Sequence, residues 1–225
     1  MIVENESEMS SIDYALKYGS LCIINTVIKI FSFNYALSSP QIIVNLAYNC
    51  NAYQILNNLL PYIDKEYFHS CDSEGNNLIS VSCISNNRKF VSDLLFYGCD
   101  PEKTSFLGQN SIHICAQYDS IGCSSLILDY LHEVRGQEGL KRILNHQDSN
   151  WNLLIHIAAK KGLSGFLVNL LSVCKDQDIN KENNIKHSAL AESLLNDHFK
   201  VAGIISGFWT NVLKQTKESL VNSLE

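Results

Sequence analysis

The chain has 225 residues, a length that suits one large domain or two small ones with a sizeable buried core. Hydrophobic residues make up 46% of it, charged residues make up 18%, and only three prolines are present, so we expect a folded protein without long disordered linkers. The formal net charge of −6 gives no electrostatic reason to bind nucleic acid, which proteins hold mainly through lysine and arginine on phosphates, and we expect no direct nucleic-acid partner.

The N-terminal stretch MIVENESEMSS is acidic, whereas a secretory signal would be basic and then apolar. We expect residues 1–9 to form a flexible acidic leader. The longest apolar run, LCIINTVIKIF at 21–31, is far shorter than the roughly 20 residues that cross a bilayer. We therefore expect a cytoplasmic or nuclear protein with no membrane partner.

Eight cysteines occur, at positions 22, 50, 71, 83, 99, 115, 123 and 174. No two of them make a CxxC pair and no spacing matches a zinc site, so we expect neither a metal nor a cofactor. In a reducing compartment these cysteines are expected to be buried thiols that pack as small hydrophobic side chains.

A pattern of small residues, a turn residue and an apolar run recurs along the chain. It is loose at 14–28 and 46–60 and clearer at 80–95, 113–128, 156–171 and 191–205. The turn residues are separated by 32, 35, 33, 43 and 35 positions; they are Gly19, Asn51, Asn86, Asp119, Gly162 and Asp197. Apolar residues at three- and four-residue spacing on both sides of each turn predict two short helices per repeat. Because one such pair buries too little surface to be stable alone, the repeats must stack into an all-α solenoid.

The repeats resemble ankyrin repeats. The residues that carry the resemblance are Asp72 and Gly75, YGCDP at 97–101, NSIHICA at 110–116 and LLIHIAA at 153–159. The resemblance covers roughly residues 10–208 and implies stacked helix-turn-helix repeats with finger loops between them. The implied repeats span approximately 10–35, 36–71, 72–104, 105–147, 148–182 and 183–208, followed by a C-terminal capping helix or tail at 209–225.

The chain departs from the ankyrin pattern at the first position of its T-P-L-H stretch. That position reads Asn77, Asn110, Leu153 and Ser188 in the last four repeats. Asparagine is a good helix N-cap and leucine cannot cap, so we expect Asn77 and Asn110 to cap their helices and Leu153 not to.

Several conspicuous residues fit a structural role. His113 and His156 stand at the histidine position of the ankyrin pattern, where the resemblance implies that each ring bonds backbone groups and orders the loop between repeats. Ala158 and Ala159 are expected to allow close helix packing, and Gly162 to turn the chain. A nucleophilic pair of Cys115 with His113 is a poor hypothesis, because residues two apart on a helix face different sides.

In ankyrin proteins, the residues before the turns and on the finger loops line a concave groove. Carried over by position, the candidate partner contacts are Tyr18, Glu74, Asn76, Phe106, Leu107, Gln109, Gln117, Tyr118, Asn150, Trp151, Asn152, Lys160 and Lys161. Trp151 stands where the family prefers glycine. It either folds down onto the inserted segment 131–147 or serves as a partner anchor, and Phe106 with Leu107 forms a second candidate anchor.

The longest interval comes from LHEVRGQEGLKRILNHQ at 131–147. Gly136 and Gly139 predict a break in the second helix of this repeat, and LKRIL predicts an added helical turn. Inserted segments in solenoids often meet partners, so Lys141 and Arg142 are candidates for contact with an acidic surface.

The sequence contains no glycine-rich phosphate loop, nucleophile elbow, HExxH motif or paired carboxylates at useful spacing. We therefore expect a monomeric, non-enzymatic module that binds a protein partner through its concave face and finger loops. The alternatives are the ankyrin portion of a transcriptional or cell-cycle regulator, or an adaptor of the proteasome-chaperone type. An enzyme with a site distributed across the groove is a remote alternative.

Overall fold

The computed structural model describes residues 11–31, 40–63, 65–173, 179–208 and 210. The predicted leader at 1–9 and nearly all of the predicted capping segment at 209–225 lie outside these residues. The described residues are helical and contain no β-strand, so the all-α prediction is confirmed for them. The chain divides into two compact regions, which we call the N-terminal region (1–106) and the C-terminal region (107–225).

Helices in the N-terminal region follow one another as consecutive pairs. Helix α1 packs against α2, α3 against α4, and α5 against α6, while the first helices of the pairs also contact one another in the order α1, α3, α5. Short 3-10 turns at Cys50–Ala52, Leu60–Tyr62 and Lys65–His69 complete the connections. The bounds are α1 Ser11–Tyr18, α2 Leu21–Phe31, α3 Pro40–Tyr48, α4 Tyr53–Leu59, α5 Leu78–Ile84 and α6 Arg88–Phe96.

The C-terminal region repeats this arrangement. Helix α7 packs against α8 and α9 against α10, and α9 lies between α7 and α11. The apolar sides of these helices form the core, with Ile112, Leu154 and Ile155 fully buried. The bounds are α7 Ser111–Tyr118, α8 Ile121–Leu144, α9 Leu154–Lys161, α10 Ser164–Val173, α11 Ala189–Leu195 and α12 199–208.

The starts of the first helices follow the predicted capping chemistry. Asn77 Oδ1 accepts the backbone N–H of Ser80 (2.9 Å), and Asn110 Oδ1 accepts that of His113 (3.1 Å). Leu153 occupies the same position before α9 and offers no side-chain cap. The prediction for all three positions is therefore confirmed.

The turn between the two helices of a pair uses a left-handed residue in the last four repeats. Asn86, Asp119, Gly162 and Asp197 have φ of 51°, 54°, 73° and 60°. Glycine, asparagine and aspartate tolerate this conformation better than other residues. In the second repeat the predicted turn residue Asn51 lies instead in the 3-10 turn at Cys50–Ala52.

The inserted segment 131–147 is largely helical, and its helix is interrupted at Gly136, one of the two glycines at which a break was predicted. Helix α8 runs over 24 residues, and Gly136 interrupts it with φ 62° and ψ −161°. Beyond the break, Leu140 and Ile143 are buried, and the carbonyl of Ile143 accepts a hydrogen bond from the Asn110 amide (3.2 Å). The insertion thus packs against the start of α7.

The cysteines do not all follow the expected burial. Cys83, Cys99, Cys115 and Cys123 are buried, and burial raises the pKa of the Cys99 thiol to about 12, which keeps it protonated at neutral pH. Cys22, Cys50 and Cys71 are exposed, so the prediction of a buried thiol is wrong for these three. Cys174 lies outside the described residues.

Among the described residues, no helix is both long enough and apolar enough to cross a membrane.

Candidate functional site

The loops at 72–76, 148–152 and 183–187, which we call finger loops, share one pattern of hydrogen bonds. Asp72 Oδ1 accepts the backbone N–H groups of Glu74 (2.9 Å) and Asn76 (2.8 Å). Asp148 Oδ1 accepts those of Asn150 and Asn152, each at 2.8 Å. An Asp or Asn side chain that accepts from the backbone two residues on forms a local turn without help from the rest of the protein.

Asn183 organises the third loop in the same way, through Ile185 N–H (3.2 Å) and His187 N–H (3.0 Å). In each loop the first and fifth residues also pair through their backbones, at 3.0 Å in all three cases. The three loops are therefore superimposable in their bonding, and residues can be compared position by position.

The fourth position has a left-handed backbone in these three loops and also in the corresponding loop at 105–109. Gly75 has φ 80°, Gly108 has φ 70°, Trp151 has φ 62° and Lys186 has φ 64°. Glycine adopts this conformation freely, whereas a residue with a Cβ pays about 1–2 kcal/mol for it. Trp151 is thus a bulky residue held in a conformation that its own backbone disfavours.

Trp151 is 57% exposed. More than half of the residue is therefore accessible to solvent, which favours the hypothesis of a partner anchor over burial on the 131–147 segment. Gln147 of that segment donates to the backbone carbonyl of Trp151 (2.8 Å).

Backbone hydrogen bonds join neighbouring finger loops of the C-terminal region. Ser149 N–H donates to the Leu107 carbonyl (2.9 Å), and Asn184 N–H donates to the Asn150 carbonyl (3.0 Å). Three exposed apolar side chains occupy these joined loops, and we call Leu107, Trp151 and Ile185 the apolar row. Exposed apolar side chains grouped in this way are typical of an interaction surface.

The C-terminal region contains a cavity of about 450 Å³ beside these loops. It brings together six of the predicted contact residues: Gln109, Gln117, Asn150, Asn152, Lys160 and Lys161. Its lining also includes seven residues not predicted as partner contacts: Asp148, His156, Ile157, Asn183, Asn184, Ile185 and Glu192. The repeat register would have located the 183–185 stretch, because Asn183 corresponds to Asp148.

Charged groups in the cavity wall differ in their access to a ligand. Asp148 and Glu192 are buried, and both are hydrogen-bonded within the wall, Glu192 through the Asn183 amide (3.0 Å) and the His187 ring (3.2 Å). Lys160 and Lys161 are exposed. Lys161 Nζ donates to the Gln117 carbonyl at 2.7 Å, which ties the end of α9 to that of α7.

His156 is bonded to backbone groups on both ring nitrogens. Its Nδ1 accepts the Leu153 N–H (3.2 Å), and its Nε2 donates to the Lys181 carbonyl (2.9 Å), so the ring links α9 to the loop that follows its helix pair. Burial lowers the pKa of His156. Because Nδ1 is the acceptor of a backbone N–H, a proton there would remove that hydrogen bond.

His113 lies fully buried against the next loop. Its Nδ1 is 2.6 Å from Asn110 Oδ1 and its Nε2 is 3.4 Å from the Asn152 carbonyl oxygen. Burial, together with His146 at 5.7 Å between ring centroids, lowers the pKa of His113 to about 4. The ring is therefore neutral at physiological pH.

Ala158 and Ala159 are fully buried at the centre of α9. Gly162 has no room for a side chain, because a Cβ there would lie 2.6 Å from Nδ1 of His198.

The N-terminal region holds four of the predicted contact residues. Tyr18 is exposed, with its ring 4.9 Å from that of Tyr14, and Glu74 and Phe106 are also exposed. Asn76 is buried and its amide donates to Asp72 (2.9 Å), so its side chain offers little surface to a partner.

Tyr118 and Leu107, in the C-terminal region, are both exposed. In the described part of the chain, no group of three or more His, Cys, Asp or Glu side chains is arranged to hold a metal ion.

No model of a protein family matches the chain. A segment of 98 residues, 44% of the chain, is 29% identical to NF-kappa-B inhibitor alpha from Sus scrofa. The match spans 30% of that protein, so the chain covers less than a third of the length of this relative. NF-kappa-B inhibitor alpha is an ankyrin-repeat protein, and the likeness therefore points to ankyrin repeats in this chain.

Proposed function

We propose that this protein is a non-enzymatic module of ankyrin repeats, with the repeat bounds predicted above, that binds a protein partner. The partner contacts lie on the finger loops and in the cavity of the C-terminal region. We place the module in the cytoplasm or the nucleus. Its mechanism is complementarity of shape and hydrogen bonding around a small number of exposed apolar anchors.

Trp151 is the observation that carries the proposal. Its backbone has φ 62° at the loop position where Gly75 and Gly108 stand in two other loops, and the residue is 57% exposed. The residue therefore lowers the stability of the free protein and leaves a large apolar surface in water. Tryptophan is over-represented among the residues that dominate binding energy at interfaces, and a binding role accounts for both costs.

The comparison with a known protein supports the same kind of function. The relative is named for inhibiting NF-kappa-B, and its likeness to this chain covers only part of each protein. An inhibitor built of ankyrin repeats is consistent with a binding role, and we propose such a role here without carrying over the partner.

Affinity capture from cells of the source organism tests the proposal with a matched pair of variants, Trp151→Gly and Lys186→Gly. Each variant replaces a left-handed residue with glycine at the same position of a finger loop, so neither strains the backbone. Only the first removes the proposed anchor. A third variant, with Trp151→Ala and Tyr118→Ala together, tests the second exposed aromatic residue.

We expect Trp151→Gly to lose a specific set of captured proteins that Lys186→Gly retains, with both variants folded by circular dichroism. Equal recovery of the same proteins by the wild type and Trp151→Gly would contradict the proposal.

A further inference from the structure

We propose that the cavity of the C-terminal region receives an acidic segment of the partner, with carboxylates at Lys160 and Lys161 and apolar side chains on the apolar row. This inference rests on the proposed function and names the chemistry of the partner at the same site.

The charges that a ligand can reach in this cavity are positive. Lys160 and Lys161 are exposed, and in the part of the chain that the structure describes neither forms an ion pair with a carboxylate. Asp148 and Glu192 also line the cavity, but both are buried and already accept hydrogen bonds from the wall. A carboxylate from a partner therefore meets two available ammonium groups, whereas a basic side chain meets no available carboxylate.

Amide side chains make up most of the remaining polar lining. Gln109, Gln117, Asn150 and Asn184 bring amide groups to the cavity lining, and the Asn184 amide also donates to Asn150 Oδ1 (3.4 Å). Such a lining suits the backbone of an extended peptide, which offers donors and acceptors in alternation. Because amide groups are uncharged, the two lysines alone determine that the accessible charge of the lining is positive.

The apolar row sets the second requirement on the partner. Backbone hydrogen bonds from Ser149 to Leu107 and from Asn184 to Asn150 hold the loops at 105–109, 148–152 and 183–187 beside one another. Ile185 both lines the cavity and belongs to the row, so the polar and apolar surfaces are continuous. A segment that covers both surfaces must carry apolar side chains on one side and carboxylates on the other.

A simpler role for the lysines is to stabilise the end of α9, where positive charge favours the helix dipole. The Lys161 bond to the Gln117 carbonyl fits that role, but Lys160 makes no such bond through its side chain among the described residues. The two roles separate experimentally, because helix stabilisation affects folding and carboxylate recognition affects binding.

Selection from a display library of random peptides of about 12 residues, which reach about 40 Å when extended, tests the inference on the full chain. We expect the selected peptides to be enriched in Asp and Glu together with aliphatic or aromatic residues. We expect Lys160→Gln with Lys161→Gln to weaken their binding by about tenfold or more at low salt and less at high salt, since screening already weakens the wild type there. Lys200→Gln, a matched change at an exposed lysine that does not line the cavity, should alter binding by less than about twofold.

The thermal unfolding curve of each variant shows whether a loss of binding is a loss of fold. Lys160→Gln alone, which keeps the Lys161 bond, serves where the double variant is destabilised. Selected peptides without acidic enrichment, or acidic peptides that bind the lysine variants as tightly as the wild type, overturn the acidic-segment inference. If their binding still requires Trp151, the proposed function stands. If no selected peptide requires Trp151, or the wild type selects none, both are overturned.

Discussion

The finger loops at 72–76 and 148–152 have the same hydrogen bonds and different residues at the fourth position. Gly75 is needed both for its φ of 80° and for space, because a Cβ there would lie 2.7 Å from the Phe106 ring. Trp151 adopts a similar left-handed backbone in the other loop, with φ 62°, and is 57% exposed. The comparison shows that the aspartate and the backbone bonds impose the loop geometry, and that the residue at 151 is not chosen for stability.

The largest effect should come from removing the aspartate that organises each loop. Asp148→Ala leaves the Asn150 and Asn152 N–H groups without their acceptor, and we expect it to lower the free energy of unfolding by about 3 kcal/mol. Asp72→Ala should have a similar cost in its own loop. Urea unfolding measures both.

Asp148→Asn is the control for this change, because Asn183 performs the same task in the loop at 183–187. It should cost less than about 1 kcal/mol. A cost for Asp148→Ala no larger than that of the asparagine variant would show that the aspartate does not impose the loop.

Acid should weaken the C-terminal region before the N-terminal region. His113 has its pKa lowered to about 4 in the folded state, against 6.5 unfolded, so the unfolded chain binds more protons between these values. The contribution of neutral His113 to the free energy of unfolding is therefore fully present above about pH 6.5, and it falls as the pH drops towards 4. By about pH 5 the loss from His113 amounts to about 2 kcal/mol, and the lowered pKa of His156 adds to it.

In the N-terminal region, Ser80 occupies the position of His113 in its repeat and does not titrate. Hydrogen exchange at pH 7 and pH 5, corrected for the intrinsic rate, should thus show protection lost in α7 and α9 before α5. Equal loss in all three helices would contradict the account of the histidines.

Exchanging residues at the fourth loop position should have the smallest effects. Trp151→Gly and Lys186→Gly should each raise the free energy of unfolding by about 1 kcal/mol by removing a disfavoured conformation. Gly75→Ala should lower it by about 1–2 kcal/mol, since the new Cβ meets the Phe106 ring in a left-handed backbone. Thermal and urea unfolding measure these changes in the free energy of unfolding. A rise for Trp151→Gly and a fall for Gly75→Ala would support the comparison, and a destabilised Trp151→Gly would contradict it.

Local chemistry made much of this structure predictable. The alternation of apolar runs with Gly, Asn and Asp predicted the helices and turns of the last four repeats, and the capping preference of asparagine predicted the starts of α5 and α7. The break in α8 followed from Gly136, which is free to adopt its observed backbone.

Features that depend on neighbouring elements were not predictable from residue type. The hydrogen bonds of the finger loops impose the left-handed conformation of Trp151 and Lys186. Neither tryptophan nor lysine favours that conformation, so residue type does not predict it. Asn76 is buried with its amide bonded to Asp72, and Cys22, Cys50 and Cys71 are exposed. Residue type alone does not show which face of a repeat its neighbours cover. The cavity is lined by residues of three consecutive repeats, so no single repeat predicts it.

The most direct test of the central claim is isothermal titration calorimetry of one captured partner, or of one selected peptide, against the wild type, Trp151→Gly and Lys186→Gly. We predict that Trp151→Gly loses at least about 2 kcal/mol of binding free energy while its own stability rises, and that Lys186→Gly binds like the wild type. Unchanged affinity for Trp151→Gly would contradict the claim that this strained, exposed tryptophan is kept for binding.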